Sequence, residues 1–314
     1  MIRPSASFVD RYFQRVKTTK SILCVGLDPT PAHVPPAFRI GKTIDQIEGY
    51  LHQVIEITAS RAPVIKPQIA YYSALGVKGE EMLERLILHA HSVGLLVILD
   101  AKRADIGDTM EQYGDEAFGR YRADACTFVP YLGPTFAPSW MKWLAECAMV
   151  IPMIRTSNPE AAVIQDLELK ESGLKVYEYM AQLVATWHAK VSEATGGVGA
   201  VGGVVGATWP EQAVRCRELA GDDVFFLIPG YGAQGGGADG AVGGLPNSRG
   251  ELMGVVNSSR GITLSWWDNT KKQPREGNAL ELVKAAIGAA NADLNAALER
   301  KLGIPMAQAV SLKA

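Results

Sequence analysis

The sequence predicts an α/β protein, a single (β/α)8 TIM barrel with parallel strands. Eight short apolar runs, rich in β-branched residues, alternate with stretches of helical periodicity. The runs are apolar at consecutive positions, as expected of parallel strands that are buried on both faces. Charged side chains stand directly after several runs, where barrel enzymes place their active sites. A doubly wound sheet is the main alternative, because the count of eight depends on boundaries read from one sequence.

The predicted elements follow one another in a regular order. An amphipathic helix is expected at about residues 5–20, and a helical tail is expected after about residue 278. The predicted strands are 22–28, 63–68, 95–102, 125–131, 149–156, 199–208, 224–229 and 253–260. We expect residues 1–314 to form one barrel domain, since α/β barrels commonly reach ~250 residues as a single unit.

Composition excludes several classes of protein. The 314 residues carry a formal net charge of −2 and are 47% hydrophobic. The chain therefore lacks the excess of basic residues that is typical of nucleic-acid-binding proteins. No apolar run approaches the ~20 residues of a membrane span. The first twenty residues lack the apolar core of a signal peptide. A cytoplasmic protein without nucleic-acid or membrane partners is therefore expected.

Neither the cysteines nor the histidines predict a site. Cys24, Cys126, Cys147 and Cys216 are far apart and show no CxxC spacing, which indicates buried reduced thiols rather than disulfides or a zinc site. All five histidines fall in predicted loops or helices rather than at strand ends, which argues against histidine catalysis; they are His33, His52, His89, His91 and His188.

Residues 95–109 carry the strongest signal for chemistry. A buried strand delivers Asp100 and Lys102 at its carboxyl end, and alternate strand residues share one face. A second carboxylate, Asp105, follows within a few residues. An ordinary ion pair at the sheet rim is the alternative. Several charges at the mouth of a dry strand bundle cost desolvation free energy, however, and this favours a functional site.

Polar side chains also follow other predicted strands. Asp28 ends the first strand, Lys66 lies in the second, and Ser157 follows the fifth. Taken singly, each is a weak signal. Asp28 beside Pro29 suits a turn, and Lys66 suits the rim of a sheet.

The seventh strand is followed by a glycine-rich segment over residues 230–244. It comes directly after Pro229, contains Gln234 and precedes a strand that ends in Arg260. Free backbone amides, one amide side chain and one guanidinium suit a phosphate dianion. The loops after strands seven and eight also form the usual phosphate site of barrels. Phosphate binding is therefore the favoured interpretation, and a flexible surface loop is the alternative.

Taken together, these strand ends resemble those of the orotidine 5′-phosphate decarboxylase family. Residues 100–109, Asp-Ala-Lys-Arg-Ala-Asp-Ile-Gly-Asp-Thr, are similar to the family's D-x-K-x-x-D-I signature. The resemblance extends over about residues 20–265, and the chain is similar to the longer bacterial branch. Glu160 and Ser259 stand where many relatives have glycine.

The resemblance implies a homodimeric enzyme that converts orotidine monophosphate (OMP) to UMP and CO₂, the last step of de novo pyrimidine synthesis, without metal or organic cofactor. It implies a charge array of Lys66, Asp100 and Lys102, completed by Asp105 of the other subunit, with Lys102 as the proton donor. The implied substrate contacts are Asp28 and Lys66 with the ribose, Thr109 with the other subunit's ribose, Ser157 with the pyrimidine, and Pro229, Gln234 and Arg260 at the phosphate end.

Other functions remain open on the sequence alone. A related sugar-phosphate decarboxylase or aldolase would use Mg²⁺ or a lysine Schiff base. A barrel that binds a phosphorylated ligand without turnover is a further alternative. Residues 158–175 and 230–247 are lids or insertions, and only the second segment is favoured as a lid. Residues 266–275 and the tail beyond Lys301 predict no function.

Overall fold

The structure is a computed structural model that describes residues 5–306. Its main sheet is parallel throughout, with the strand order β4-β3-β2-β1-β9-β8-β7-β5-β6 and a closing pairing between β4 and β5. The strands are β1 (Leu23–Leu27), β2 (Val64–Pro67), β3 (Leu96–Arg103), β4 (Ala125–Phe128), β5 (Met149–Arg155), β6 (Ala200–Val201), β7 (Gly203–Val205), β8 (Phe226–Ile228) and β9 (Gly254–Ser258). Because β6 and β7 are two parts of one barrel strand, the predicted eight-stranded barrel is confirmed.

Helices lie between the strands and cover the outside of the barrel. They are α1 (Phe8–Thr19), α2 (Thr43–Ala59), α3 (Ile69–Ser73), α4 (Val77–Ser92), α5 (Gly107–Gly114), α6 (Phe136–Ser139), α7 (Met141–Leu144), α8 (Ala162–Gln165), α9 (Val176–Thr195), α10 (Pro210–Ala220), α11 (Ala238–Val242), α12 (Arg260–Thr263) and α13 (Ala279–Leu302). A π-helical turn, Asp115–Arg120, continues α5, and a small antiparallel pair, β10 (Trp267–Asp268) and β11 (Gln273–Pro274), occupies the segment that predicted no function.

The sixth barrel strand is shorter and less regular than the sequence predicts. Its two parts are separated at Gly202, where an added Cβ would lie 2.6 Å from the backbone oxygen of Phe225. At Gly203, a Cβ would lie 2.3 Å from the Cδ1 atom of Ile154. These two glycines therefore allow neighbouring backbone and core side chains to approach closely. The predicted strand over 199–208 is wrong in its length for this reason.

Helix α1 closes the amino-terminal end of the barrel. Its buried face carries Phe8 and Tyr12, whose rings make edge contacts with Phe225 at 5.4 and 4.9 Å. The Tyr12 hydroxyl donates a hydrogen bond of 2.5 Å to the backbone oxygen of Gly254, at the start of β9. With this end closed by aromatic packing, the carboxyl ends of the strands form the open face of the barrel.

The structure describes the chain except for its two ends. Residues 1–4 and 307–314 lie outside the described residues, so the domain expected over 1–314 can be followed only between 5 and 306. Within that range, all four cysteines are buried free thiols. None of the helices between residues 5 and 306 is long and apolar enough to cross a bilayer.

Candidate active site

Three charged side chains meet at the carboxyl ends of β2 and β3. The carboxylate of Asp100 accepts from Lys66 Nζ at 2.8 Å through Oδ2 and from Lys102 Nζ at 2.5 Å through Oδ1. The side chain of Lys66 is 5% exposed and that of Asp100 is 11% exposed, whereas that of Lys102 is 44% exposed. The array is therefore buried at Lys66 and Asp100 and open to solvent at Lys102, so a ligand would contact the Lys102 side chain.

The electrostatics of the buried pair fix its charges. Burial by itself would lower the pKa of Lys66, but the carboxylates of Asp100 and Asp28 outweigh it and raise this pKa above its ordinary value. Burial would raise the pKa of Asp100, but the ammonium groups of Lys66 and Lys102 hold it well below its ordinary value. Asp100 therefore stays ionised and Lys66 stays protonated at neutral pH.

The backbone at Lys102 differs from the regular strand that the sequence predicts. Lys102 has a φ of 49°, in the left-handed region, and the pairing of β3 with β4 shifts register between Leu99 and Arg103. A non-glycine residue in this region costs free energy that the surrounding structure must supply. The irregularity lies at the residue that carries the exposed ammonium, so β3 ends in a bulge that orients Lys102.

Thr127 on β4 holds this bulge, and sequence reasoning did not identify it. Its hydroxyl donates to Asp100 Oδ1 at 2.9 Å and accepts from the backbone N–H of Lys102 at 3.0 Å. The side chain is buried. One hydroxyl thus fixes both the carboxylate and the strained backbone of the array, which makes Thr127 a positioning residue.

We expect Thr127→Val to lower kcat by about 10- to 100-fold with little change in KM, because a hydrogen bond to a charged group contributes ~1.5–3 kcal/mol. Thr127→Ser keeps the hydroxyl and is the matched control, with turnover near that of the unmodified protein. Steady-state kinetics on both variants measure the effect. Unchanged kcat in a folded valine variant would show that Thr127 does not position the array.

A polar cavity of about 330 Å³ joins two groups of predicted residues, and it is connected to the array through Asp28, whose carboxylate helps to raise the pKa of Lys66. Its lining includes Asp28 after β1 and Gln234 and Arg260 from the loops after β8 and β9. Asp28 Oδ1 is buried without a hydrogen-bond partner among residues 5–306. The lining also contains Tyr71 and Asn257, which the sequence did not single out as ligand contacts. The cavity has the donors and acceptors expected for a sugar phosphate.

The glycine-rich loop is folded around a hydrogen-bonded turn. Gly230 has a φ of 98°, and Gly236 N–H donates to its backbone oxygen at 3.0 Å. An added Cβ at Gly230 would lie 3.0 Å from the Cβ of Ser157, so glycine is required on both steric and conformational grounds. The Ser157 hydroxyl donates to Gln234 Oε1 at 2.8 Å. The loop therefore links the predicted pyrimidine and phosphate contacts.

The segment after β5 is anchored by a buried guanidinium. Arg155 is fully buried, stacks over the Trp209 ring at 4.2 Å and donates to Asp166 Oδ2 at 3.1 Å. The Trp209 indole N–H donates to the backbone oxygen of Thr156 at 2.9 Å. These contacts hold the start of the 158–175 segment, and with it Ser157, against the barrel.

The two positions where the chain departs from the family pattern are accommodated locally. Ser259 packs against Gly26, where an added Cβ would lie 1.8 Å from the Ser259 Oγ atom. Glu160 is exposed in the 3₁₀ turn Pro159–Ala161 and accepts from Asn158 Nδ2 at 3.1 Å. Ser259 therefore belongs to the lining of the cavity, whereas Glu160 does not.

Asp105 and Thr109 are not brought into the array within one chain. Asp105 accepts the backbone N–H of Ile106 at 2.8 Å, and Thr109 is exposed on α5. The neighbouring surface carries exposed apolar side chains: Ile106 is 61% exposed and Tyr131 is 88% exposed. Pro229 ends the strand region of β8, where its backbone oxygen accepts from Ala207 N–H at 2.8 Å.

Comparison with known proteins identifies the family. A family model described as Orotidine 5′-phosphate decarboxylase / HUMPS family matches residues 21–272, which include every strand from β1 to β9. The chain belongs to this family. Membership confirms the family that the sequence predicts, together with its class of enzyme, a carboxy-lyase.

Individual relatives of the orotidine 5′-phosphate decarboxylase family agree with this assignment. The protein of that name from Dechloromonas aromatica is 40% identical over 259 residues, covering 82% of this chain and 89% of the relative. The one from an Azoarcus species is 43% identical over 246 residues, with coverages of 77% and 84%. The solved structure of Leishmania donovani OMP decarboxylase is 27% identical with a TM-score of 0.73, covering 93% of this chain and 98% of that one.

Proposed function

We propose that this protein decarboxylates orotidine 5′-phosphate to UMP and CO₂, the last step of de novo pyrimidine synthesis, and that it does so without a metal ion. The observation that carries the proposal is the Lys66–Asp100–Lys102 array, which ends in the partly exposed side chain of Lys102 and is connected through Asp28 to a polar cavity. Membership of the family and the names of the relatives support the choice of substrate.

In the proposed reaction, the bond between the ring and the carboxylate breaks, CO₂ leaves, and the electron pair remains on the ring carbon. Lys102 stabilises the developing negative charge and then donates its proton to that carbon. Asp100 lies against the leaving carboxylate, and the repulsion between them is relieved as CO₂ departs. Lys66, which is buried beneath Asp100, keeps that carboxylate ionised and in place.

The cavity supports a binding role for the remaining predicted residues. Asp28 and Lys66 would hold ribose hydroxyls, since the free Oδ1 of Asp28 is an acceptor without a partner among the described residues. Ser157 would contact the pyrimidine. Gln234, Arg260 and backbone groups after Pro229 would bind the phosphate, because Arg260 is exposed and forms no ion pair within residues 5–306. A preorganised donor supplies only ~3–4 kcal/mol, so binding at the phosphate must contribute to the rate.

We propose that the active enzyme is a homodimer in which Asp105 and Thr109 reach the other subunit's site. The isolated chain leaves both residues outside its own array, and exposed Ile106 and Tyr131 lie on the same open face. Apolar side chains exposed together are typical of an interface. A second carboxylate beside Lys102 would favour its charged form.

Subunit complementation tests this arrangement. Lys102→Ala and Asp105→Asn should each be inactive alone. Mixing them in equal amounts and allowing subunits to exchange should restore about a quarter of the unmodified activity, because half of the dimers then carry one intact site. Mixing Lys102→Ala with Asp100→Asn is the control. Both of these variants alter the same subunit's part of the array, so every site in the mixture is defective and no recovery is expected.

If each site were built from a single chain, the mixture of Lys102→Ala and Asp105→Asn would be no more active than the two variants alone. Sedimentation of the mixture separates this result from a failure to exchange subunits. A monomer at micromolar concentration would contradict the dimer directly.

The reaction itself is tested by product analysis. Purified protein is incubated with orotidine monophosphate, and the nucleotides are separated by chromatography while CO₂ is trapped. The proposal predicts UMP and CO₂ in equal amounts. Consumption of the substrate to any other product, or no consumption by well-folded protein, would contradict it.

Two broader proposals follow from the same observations. We propose that the chain is one barrel domain with α1 and α13 as additions, since both helices pack on the barrel or its outer layer. We also propose a cytoplasmic location, which the buried free thiols support because reduced cysteines are usual in that compartment.

A further inference from the structure

A cluster of metal-ligating side chains lies outside the active site, on the outer helical layer of the barrel. His52 and Glu56 are four residues apart on α2, and therefore on one face of that helix. His89 faces them from the neighbouring helix α4. One possible ligand atom from each residue lies within 4.8 Å of the other two.

The cluster is held by ring stacking and by a close approach of Glu56 to His89 Nε2, which lacks a regular hydrogen bond. The rings of His52 and His89 are stacked, with centroids 3.5 Å apart and planes inclined by 16°. Glu56 Oε1 lies 3.0 Å from His89 Nε2. That nitrogen is buried and forms no hydrogen bond of regular geometry with any described residue. The nitrogen therefore faces a carboxylate at ion-pair distance without a regular hydrogen bond, an arrangement that a cation shared by the two groups would satisfy.

We propose that His52, Glu56 and His89 bind one divalent transition-metal ion, with Zn²⁺ as the best fit. Two imidazole nitrogens and one carboxylate oxygen suit zinc, which binds such ligands at ~2.0–2.2 Å. Three ligands leave a fourth tetrahedral position for water. Ligand atoms around tetrahedral zinc lie ~3.4 Å apart. In the present group Glu56 Oε1 and His89 Nε2 are 3.0 Å apart and all three ligand atoms lie within 4.8 Å of one another, so shifts of about 1 Å would bring them to that spacing.

Binding requires a small rearrangement of the side chains. The lone pairs of an imidazole lie in the plane of the ring, so two stacked rings cannot direct them at one ion. Rotation of His52 and His89 about their side-chain bonds would turn the nitrogens toward a common point. Glu56 is 46% exposed in its side chain and can follow without strain to the core.

An ordinary ion pair joins α2 and α4 one to two turns away from the cluster. Arg85 on α4 forms two hydrogen bonds of 2.7 Å with Glu48 on α2, and so neutralises that carboxylate. In the cluster, by contrast, two imidazoles and a carboxylate are grouped, and no lysine or arginine between residues 5 and 306 forms an ion pair with them. A merely structural contact between α2 and α4 would bind no metal, and this difference can be measured.

An ion at this position would join α2 to α4 without entering the active site. Helix α2 connects β1, which Asp28 follows, to β2, which carries Lys66, and α4 leads to the strand that carries Asp100. We therefore expect zinc to raise the melting temperature while leaving kcat with orotidine monophosphate unchanged. The inference does not depend on the proposed decarboxylation.

The test uses the full, untagged chain, freed of metal with EDTA and then dialysed. Zinc chloride alone is titrated by calorimetry, and Co²⁺ absorption reports the ligand set. We expect one Zn²⁺ per chain, with Kd increased at least tenfold in His52→Gln, Glu56→Gln and His89→Gln. Glu48→Gln removes a carboxylate from the same helix, outside the cluster, and should leave Kd unchanged. At about 100 times Kd, zinc should raise Tm by several degrees.

The proposal is overturned if the protein binds no zinc, or if the His52→Gln/His89→Gln variant binds it as tightly as the unmodified chain. Circular dichroism without metal establishes that each variant is folded. Glu56→Gln, whose side chain is largely exposed, provides the decisive comparison with Glu48→Gln if a histidine variant is unstable.

Discussion

Lys102→Ala should lose at least about 10⁴-fold in kcat/KM while it retains its fold. Two separate contributions are removed: a general acid, typically ~10²–10⁴-fold, and a positive charge placed where negative charge develops, typically ~10²–10³-fold. The ammonium is partly exposed, and Asp100 keeps its contacts with Lys66 and Thr127 when it is lost. We therefore expect the free energy of unfolding to change by less than ~1 kcal/mol.

This separation of activity from stability is measurable in one preparation. Initial rates give the loss of turnover, urea unfolding gives stability, and UMP titration shows that the binding site remains. Lys142→Ala removes an exposed, ion-paired lysine on α7 and serves as the control for changes in charge. Retention of more than about 1% of turnover by Lys102→Ala would exclude Lys102 as the proton donor, since a general acid contributes at least ~10²-fold.

Asp100→Asn should lose both activity and stability, unlike Lys102→Ala. The substitution leaves Lys66 buried without its carboxylate partner, and breaking a buried pair from one side typically costs ~3–5 kcal/mol. Asp105→Asn is the matched control: Asp105 forms no ion pair within residues 5–306, so its replacement should change the free energy of unfolding much less than Asp100→Asn does. Urea unfolding of the three proteins measures the difference.

The stability difference also has a predicted pH dependence. The lysines hold the pKa of Asp100 well below its ordinary value in the folded state, so this carboxylate stabilises the fold fully above the unfolded pKa of ~3.9. As pH falls below about 4, that contribution is progressively lost in the unmodified protein, whereas the asparagine side chain of the variant does not titrate. The gap in unfolding free energy between Asp100→Asn and the unmodified chain should therefore narrow below about pH 4. A gap that is constant or widens on acidification would contradict the assigned charges.

Periodicity and strand ends predicted the barrel and much of its open face. Parallel strands buried on both faces leave continuous apolar runs in a sequence, and their carboxyl ends meet at one rim. Asp28, Lys66, Asp100 and Lys102 could therefore be placed together before the structure was known. The limits of the sixth strand could not be predicted from the sequence, because the interruption at Gly202 depends on the approach of Phe225 from a different part of the chain.

What escaped the sequence depends on contacts between distant segments. Thr127 is 25 residues from Lys102, and no local pattern indicates that its hydroxyl supports the bulge. Arg155 lies near the end of the predicted strand over 149–156, and no local pattern indicates that its side chain is a buried anchor. His52 and His89 become a cluster only because α2 and α4 pack side by side. Tertiary packing determines these contacts, and the local periodicity of the sequence does not reveal them.

The measurement that tests the central claim most directly is the ultraviolet absorbance of orotidine monophosphate mixed with purified protein in excess EDTA, beside Lys102→Ala. The account predicts rapid loss of the orotate absorbance with the unmodified protein, the same rate with and without EDTA, and no detectable loss with the folded variant. Turnover that stops in EDTA, or persists in Lys102→Ala, would contradict metal-independent decarboxylation through the charge array.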